Sequence, residues 1–164
     1  MVEIPKTLKI IALRPRTILR VLTLVDKGLG VDTGRPAIVD ALRLRDGVEV
    51  RIITKQVDST IYWLVQDWIG RSSWAGGMFS VGSMEHTEEV AVALPAMRGR
   101  GLYIAVLKHL RKTYKRALLS DRSLSEANIL TWVRAGASVG ADRFRINPHK
   151  AWIKDFVAVE TVTL

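Results

Sequence analysis

The sequence predicts an α/β domain, a mixed and mostly antiparallel central sheet flanked by helices. Three observations carry that expectation. The middle of the chain holds successive β-rich segments separated by short polar turns, and helical periodicity stands on either side of them. The 164 residues are enough for one hydrophobic core, so residues 1–164 are read as one domain.

Residues 7–13 (TLKIIAL) read as a short strand closed by Arg14-Pro15. Pro15 suits the first turn of a helix, where its missing N–H would have no partner anyway. Ile18, Leu19, Val21, Leu22 and Val25 follow at helical spacing, up to Gly28 and Gly30. The pattern predicts a second helix from Pro36 to about Arg45, stopped by Asp46-Gly47.

The period then changes. Residues 48–57 (VEVRIITKQV) alternate in part and are β-branched, as a strand should be. Residues 60–68 (TIYWLVQDW) are a more continuous apolar run, the pattern of a strand buried on both faces. RSSWAGG reads as a turn containing Gly76-Gly77, followed by strands at 78–84 and 88–94 (EEVAVAL), the last ended by Pro95. These segments form an antiparallel meander.

Residues 101–116 return to helical spacing, with Tyr103, Val106, Leu107, Leu110 and Tyr114 on one face. A short strand at 117–120 (ALLS) and a helix at 125–134, capped by Ser125 and stopped at Gly136, come next. Strands at 143–146 and 156–163 close the chain, with Asn147-Pro148 turning between them.

Composition narrows the function. The chain has no cysteine, which excludes disulfides, thiolate metal sites and cysteine nucleophiles. His86, His109 and His149 are widely separated and lack carboxylates at ligand spacing, so no metal site is expected. No run approaches the roughly 20 apolar residues of a membrane span, and no secretory signal stands out, so a cytoplasmic protein is expected. The net charge of +9 favours polyanions: nucleic acid, a phosphate-rich cofactor or an acidic partner.

The chemistry-bearing stretch is 90–107, VAVALPAMRGRGLYIAVL. A strand stops at a proline, a basic glycine loop follows, and an amphipathic helix begins at once. The first N–H groups of a helix have no partner inside it, and together with the helix dipole they favour a phosphate. Gly99 and Gly101 let the backbone come close, and Arg98 and Arg100 add charge-assisted contacts. Between Val90 and Ser120 there is no Asp or Glu, yet the stretch holds Arg98, Arg100, Lys108, Arg111, Lys112, Lys115 and Arg116.

Arg98-Gly99-Arg100-Gly101-Leu102-Tyr103 resembles the coenzyme A pyrophosphate loop of the GNAT superfamily of N-acyltransferases, which reads Gln/Arg-x-x-Gly-x-Gly/Ala after the fourth strand. The flanking EEVAVAL strand, the IAVLKHLRKTY helix, the ALLS strand and SEANILTWVRAGA are similar to the family's order of elements, over roughly residues 48–146. The resemblance implies a GNAT-like fold and acetyl-CoA as cofactor. Its pantetheine arm would pair with the backbone of Val92, Ala93 and Leu94, inside a gap between the family's fourth and fifth strands. Amides of Arg98, Gly99, Arg100, Gly101, Leu102 and Tyr103 would hold the pyrophosphate. An amine acceptor would then attack the thioester, with a strand N–H stabilising the oxyanion.

Departures from the family pattern fall at named positions. Tyr103 stands at the loop's second Gly/Ala, so its ring must point away from the pyrophosphate or stack on the cofactor. Ser125 replaces the helix asparagine and keeps a hydrogen-bonding group. Trp132 replaces the tyrosine that serves as the acid, and an indole N–H has no useful acidity, so the proton for the thiolate must come from another group or from water.

Candidate bases are Glu88 and Glu89, of which alternation lets only one face the cleft, together with His86. Ser125, and Ser123 beside it, would contact coenzyme or substrate or cap a helix. Trp63, Trp68, Trp74 and Tyr62 either wall a substrate site or, for Trp63, fill the core while Trp68 and Trp74 flank a turn.

The leading expectation is an N-acetyltransferase whose acceptor amine belongs to an acidic or nucleic-acid-associated partner. The alternative is a weakly active or inactive module of the same fold that holds nucleic acid or protein through its basic helix. A homodimer is also among the expected assemblies, since small sheets often hide an edge strand in an interface.

Overall fold

The computed structural model of the chain describes residues 7–97, 99–120, 131–132, 144–145 and 156–163. Strand β1 (Thr7–Leu13) leads into helix α1 (Pro15–Leu29), which opens with Pro15 in its first turn as expected. Strands β2 (Ile38–Arg43), β3 (Glu49–Val57), β4 (Thr60–Gln66), β5 (Ser73–Ser80) and β6 (Glu85–Ala93) follow. A 3-10 turn (Pro95–Met97), helix α2 (Leu102–Tyr114) and strands β7 (Ala117–Leu119), β8 (Phe144–Arg145) and β9 (Phe156–Thr163) complete the described elements.

The class is mixed α/β. The larger sheet runs in spatial order β2-β3-β4-β5-β6-β7-β8, antiparallel from β2 to β6 and parallel from β6 to β8. Strands β1 and β9 pair antiparallel as a second, two-stranded sheet.

Helices α1 and α2 cover opposite faces of the larger sheet. Ile18, Val21, Leu22 and Val25 of α1 pack on Leu64 and Val92. Val106, Leu107 and Leu110 of α2 pack on the other face, with Leu42, Leu44, Ile52, Trp63 and Phe79. Strand β4 is therefore buried on both sides, Leu64 toward α1 and Trp63 toward α2, which explains its continuous apolar run.

The expected helix at 36–45 is strand β2. Leu42 and Leu44 are buried at a spacing of two and belong to the α2 side of the core, while Ala41 and Arg43 between and beside them are exposed. Asp46-Gly47 does not stop a helix but closes the β2–β3 hairpin, where the Leu44 N–H donates to Val48 O at 2.9 Å and Asp46 Oδ1 accepts from the Val48 N–H at 3.2 Å.

The RSSWAGG turn is also displaced. The turn lies at 67–72, where Asp67 Oδ1 accepts from the N–H groups of Arg71 and Ser72 at 2.7 and 2.9 Å. Trp74 through Gly77 belong to β5. Gly77 is required there by packing, because a Cβ would stand 2.6 Å from Trp63 Nε1. Of the helix expected at 125–134, Thr131 and Trp132 are described and are helical, and the rest lies outside the described residues. Among the described residues no helix is long and apolar enough to cross a membrane.

Candidate functional site

Strand β6 positions the candidate site. Its register with β5 shifts between Met78 and Phe79: Phe79 lies opposite Glu88 and Met78 opposite Val90, so Glu89 is an extra residue in a β-bulge. The bulge reverses the alternation. Before it Glu88 points to the α2 side; after it Ala91 and Ala93 do, while Val90 and Val92 turn to α1. Glu88 is consequently 2% exposed, whereas Glu89 is exposed to solvent.

On its other edge β6 pairs with β7 only at Glu85, His86 and Thr87, opposite Ala117, Leu118 and Leu119. It then runs on to Ala93 with no further strand partner there among the described residues. The Leu94 N–H donates to Trp74 O at 2.8 Å, on the β5 side. Successive residues of a strand point their backbone groups to alternate edges, so Ala91 and Ala93 turn N–H and C=O to the open edge. Of the expected pantetheine partners, Ala93 has its polar backbone available there; Val92 and Leu94 direct theirs to β5.

The glycine loop follows the 3-10 turn. Gly99 and Gly101 have φ of +70° and +71°, a left-handed conformation that explains why glycine occupies both positions. A Cβ at Gly99 would meet nothing within 4 Å, so the space above it is open. Gly101 is the N-cap of α2 and has no side chain to occupy the first-turn N–H groups of Leu102 and Tyr103.

The loop is tied to the β2–β3 hairpin. The Arg45 N–H donates to Arg100 O at 3.0 Å, and the Arg45 guanidinium donates to Gly99 O. Arg100 Nε donates to Asp46 Oδ2 at 2.9 Å, and its guanidinium also reaches Met97 Sδ. The Val48 N–H, with help from Arg100, holds the Asp46 carboxyl below its ordinary pKa. The Arg100 side chain is thus committed to Asp46. Arg98 and Ser125, and with them Ser123, lie outside the described residues.

Behind the loop, the side chain of Tyr103 points inward. Its ring stacks on Trp63 at 5.6 Å between centroids and 18° between planes, and its hydroxyl donates to Glu88 Oε1. Trp132, fully buried, stands edge-on to the same ring at 6.5 Å and 85°. The loop-following helix α2, the bulged strand β6 and Trp132 therefore meet at one phenol. The position where the resemblance asked for a small residue holds a side chain directed away from the loop mouth, so its bulk does not fill the mouth.

The other candidates are dispersed. His86 is buried beneath the ring of Tyr114, edge-on at 6.3 Å, and its pKa is lowered by burial and by Arg116 against a hydrogen bond to the Tyr114 backbone. His109 sits 3.4 Å from Asp40, and burial lowers its pKa against the pull of that carboxylate. Trp63 is core, Trp74 is half-buried, and Trp68 is 60% exposed at the β4–β5 turn. A half-open cleft of about 350 Å³, lined by Thr33, Arg35, Lys55, Gln56 and Tyr114 among others, lies at the C-terminal end of α2, away from the glycine loop.

A scan against protein-family models, a search of curated proteins and a search of solved structures each returned no match to this chain.

Arg45 falls in the stretch whose spacing predicts a helix and is therefore not legible as a loop partner; the Asp46-Gly47 pair is the signal for the hairpin that brings Arg45 to the loop. Among the described residues, the arrangement offers an open strand edge, a helix N-terminus with no side-chain cap and a buried carboxylate reached through a phenol.

Proposed function

We propose that this chain is a single-domain cytoplasmic N-acetyltransferase with a GNAT-like fold, acting on acetyl-CoA and an amine. One observation carries the reading: β6 loses its β7 partner after Thr87 and runs directly into a loop with two left-handed glycines that opens α2. An unpaired strand edge suits an amide-bearing arm, and the helix N-terminus at its end suits a pyrophosphate.

Bound acetyl-CoA supplies an acyl group activated as a thioester. The residues here fit it: the backbone edges of Ala91 and Ala93 hold the arm, and the amides of Gly99, Arg100, Gly101, Leu102 and Tyr103 hold the diphosphate over the open space at Gly99. Glu88 is too buried to touch an acceptor directly, so it accepts the amine proton through Tyr103 or a water molecule. The same Tyr103 hydroxyl, reprotonated from Glu88, is the group that gives a proton to the departing thiolate, a role closed to Trp132.

The test is calorimetric titration with acetyl-CoA. The expected result is micromolar binding, about −8 kcal/mol, abolished by Gly101→Trp in a variant whose circular dichroism is that of a folded protein. Absence of both heat and thermal stabilisation at millimolar ligand would overturn the reading.

A further inference from the structure

The solvent face of α2 carries a feature that acyl transfer does not use. Lys108, Lys112, Lys115 and Arg116 are all exposed; Lys108 and Lys112 share one stripe of the helix at a spacing of four, and Lys115, the left-handed C-cap, and Arg116 follow at its end. Traced toward the N-terminus, that stripe passes Ile104 and Ala105 and reaches Gly101, so the cations continue the line of the glycine loop. From Lys108 to the helix end at Tyr114 the rise is about 9 Å at 1.5 Å per residue, and Lys115 and Arg116 follow directly past that end.

Helix-end electrostatics explains part of this and not the whole. Arg111 and Lys112 lie in the last turn, where cations offset the helix dipole. Lys108 lies a turn earlier, and Lys115 and Arg116 lie past the last helical residue. Asp40 is the carboxylate that reaches α2 among the described ion pairs, and it does so at half-buried His109 rather than at the exposed lysines. Arg116 is held in place by donating to Gly82 O, which fixes one end of the stripe.

We infer that this stripe is a docking track for the phosphate backbone of a nucleic acid. The chemistry favours a nucleic acid over an acidic protein. Protein interfaces draw their affinity from buried aromatic or aliphatic anchors, and the stripe from Lys108 to Arg116 exposes none. A row of ammonium groups is suited to sequence-independent phosphate contact, in which counterion release supplies the binding energy. The inference does not depend on acyl transfer.

The experiment is fluorescence anisotropy of a labelled 20-nucleotide single-stranded RNA of mixed sequence, titrated with the full chain at 50, 100 and 200 mM salt. Four contacts predict a loss of roughly 50-fold in affinity across that range, at about 0.7 per contact in the logarithmic slope. The triple variant Lys108→Gln, Lys112→Gln, Lys115→Gln, checked for folding by circular dichroism, should bind at least tenfold more weakly at 50 mM salt. Its salt dependence over the same range should shrink to roughly threefold. Wild-type and variant titrations with acetyl-CoA should coincide, which separates this surface from the coenzyme reading. No binding at 100 μM protein in 50 mM salt would overturn the inference, as would a triple variant that behaves like the wild type. Displacement of the RNA by polyglutamate as readily as by unlabelled RNA would assign the surface to an acidic protein instead.

Discussion

Tyr103 donates its phenolic hydrogen to the carboxylate of Glu88, a residue 2% exposed on the opposite element of the core. The contact joins the first turn of α2 to the bulged segment of β6, and it exists because the bulge at Glu89 leaves Glu88, rather than its neighbour, facing inward.

Tyr103→Phe keeps the stack on Trp63 and removes the donor. It should destabilise the fold by about 1–3 kcal/mol, because a buried carboxylate loses a hydrogen bond. Glu88→Gln should cost less, since an amide oxygen still accepts. Urea denaturation of both single variants and the double variant should give a coupling of about 0.5–3 kcal/mol. In the acyl-transfer reading Glu88→Gln also lowers turnover by about 10²–10⁴-fold while leaving acetyl-CoA affinity unchanged.

His86 predicts acid sensitivity. Burial, reinforced by Arg116, depresses its folded pKa below the ordinary value of about 6.5. The unfolded chain therefore takes up the proton first, and stability present above about pH 6.5 falls as pH drops toward the folded pKa. His109, lowered by burial, acts in the same direction. The melting temperature should decrease between pH 7.5 and 5.5, and the decrease should be smaller in His86→Gln. An equal decrease in both proteins would assign the effect elsewhere.

In the acyl-transfer reading, Arg45 and Asp46 have opposite effects on coenzyme binding. Arg45→Ala removes the guanidinium contact to Gly99 O and should weaken acetyl-CoA binding about tenfold, near 1.4 kcal/mol. Asp46→Asn removes the ion pair that occupies Arg100 and should tighten it several-fold. Calorimetry on both variants checks the sign.

Gly77→Ala places a methyl group against the backbone oxygen of Val90 on β6, and 2.6 Å from Trp63 Nε1 and 2.7 Å from Trp63 Cε2, in the middle of a strand. Relieving that overlap should cost about 1–3 kcal/mol. Because Trp63 carries Tyr103 on its face, the intrinsic fluorescence of the folded protein should shift as well.

Much of the fold was legible because its signals are local. Pro15 and the apolar spacing of α1, the β-branched run of β3, the doubly buried run of β4 and the Pro95 stop at the end of β6 each act within a few residues. The misreadings share one cause. Residues 36–45 have mixed spacing, and their strand state comes from pairing with β3 and from Leu42 and Leu44 packing against α2. Gly76-Gly77 look like a turn when read locally, but the backbone there is extended under Trp63.

The candidate site divides along the same line. The glycine loop between β6 and α2 and the choice of one glutamate from the 88–89 pair are properties of short segments, and both are legible in the sequence. Which glutamate faces inward, that Tyr103 turns away from the loop, that Arg100 is held by Asp46, and that Arg45 anchors Gly99 were decided only in three dimensions. A bulge, a ring stack and an ion pair across fifty-four residues depend on contacts between elements distant in the chain, and no local periodicity encodes them.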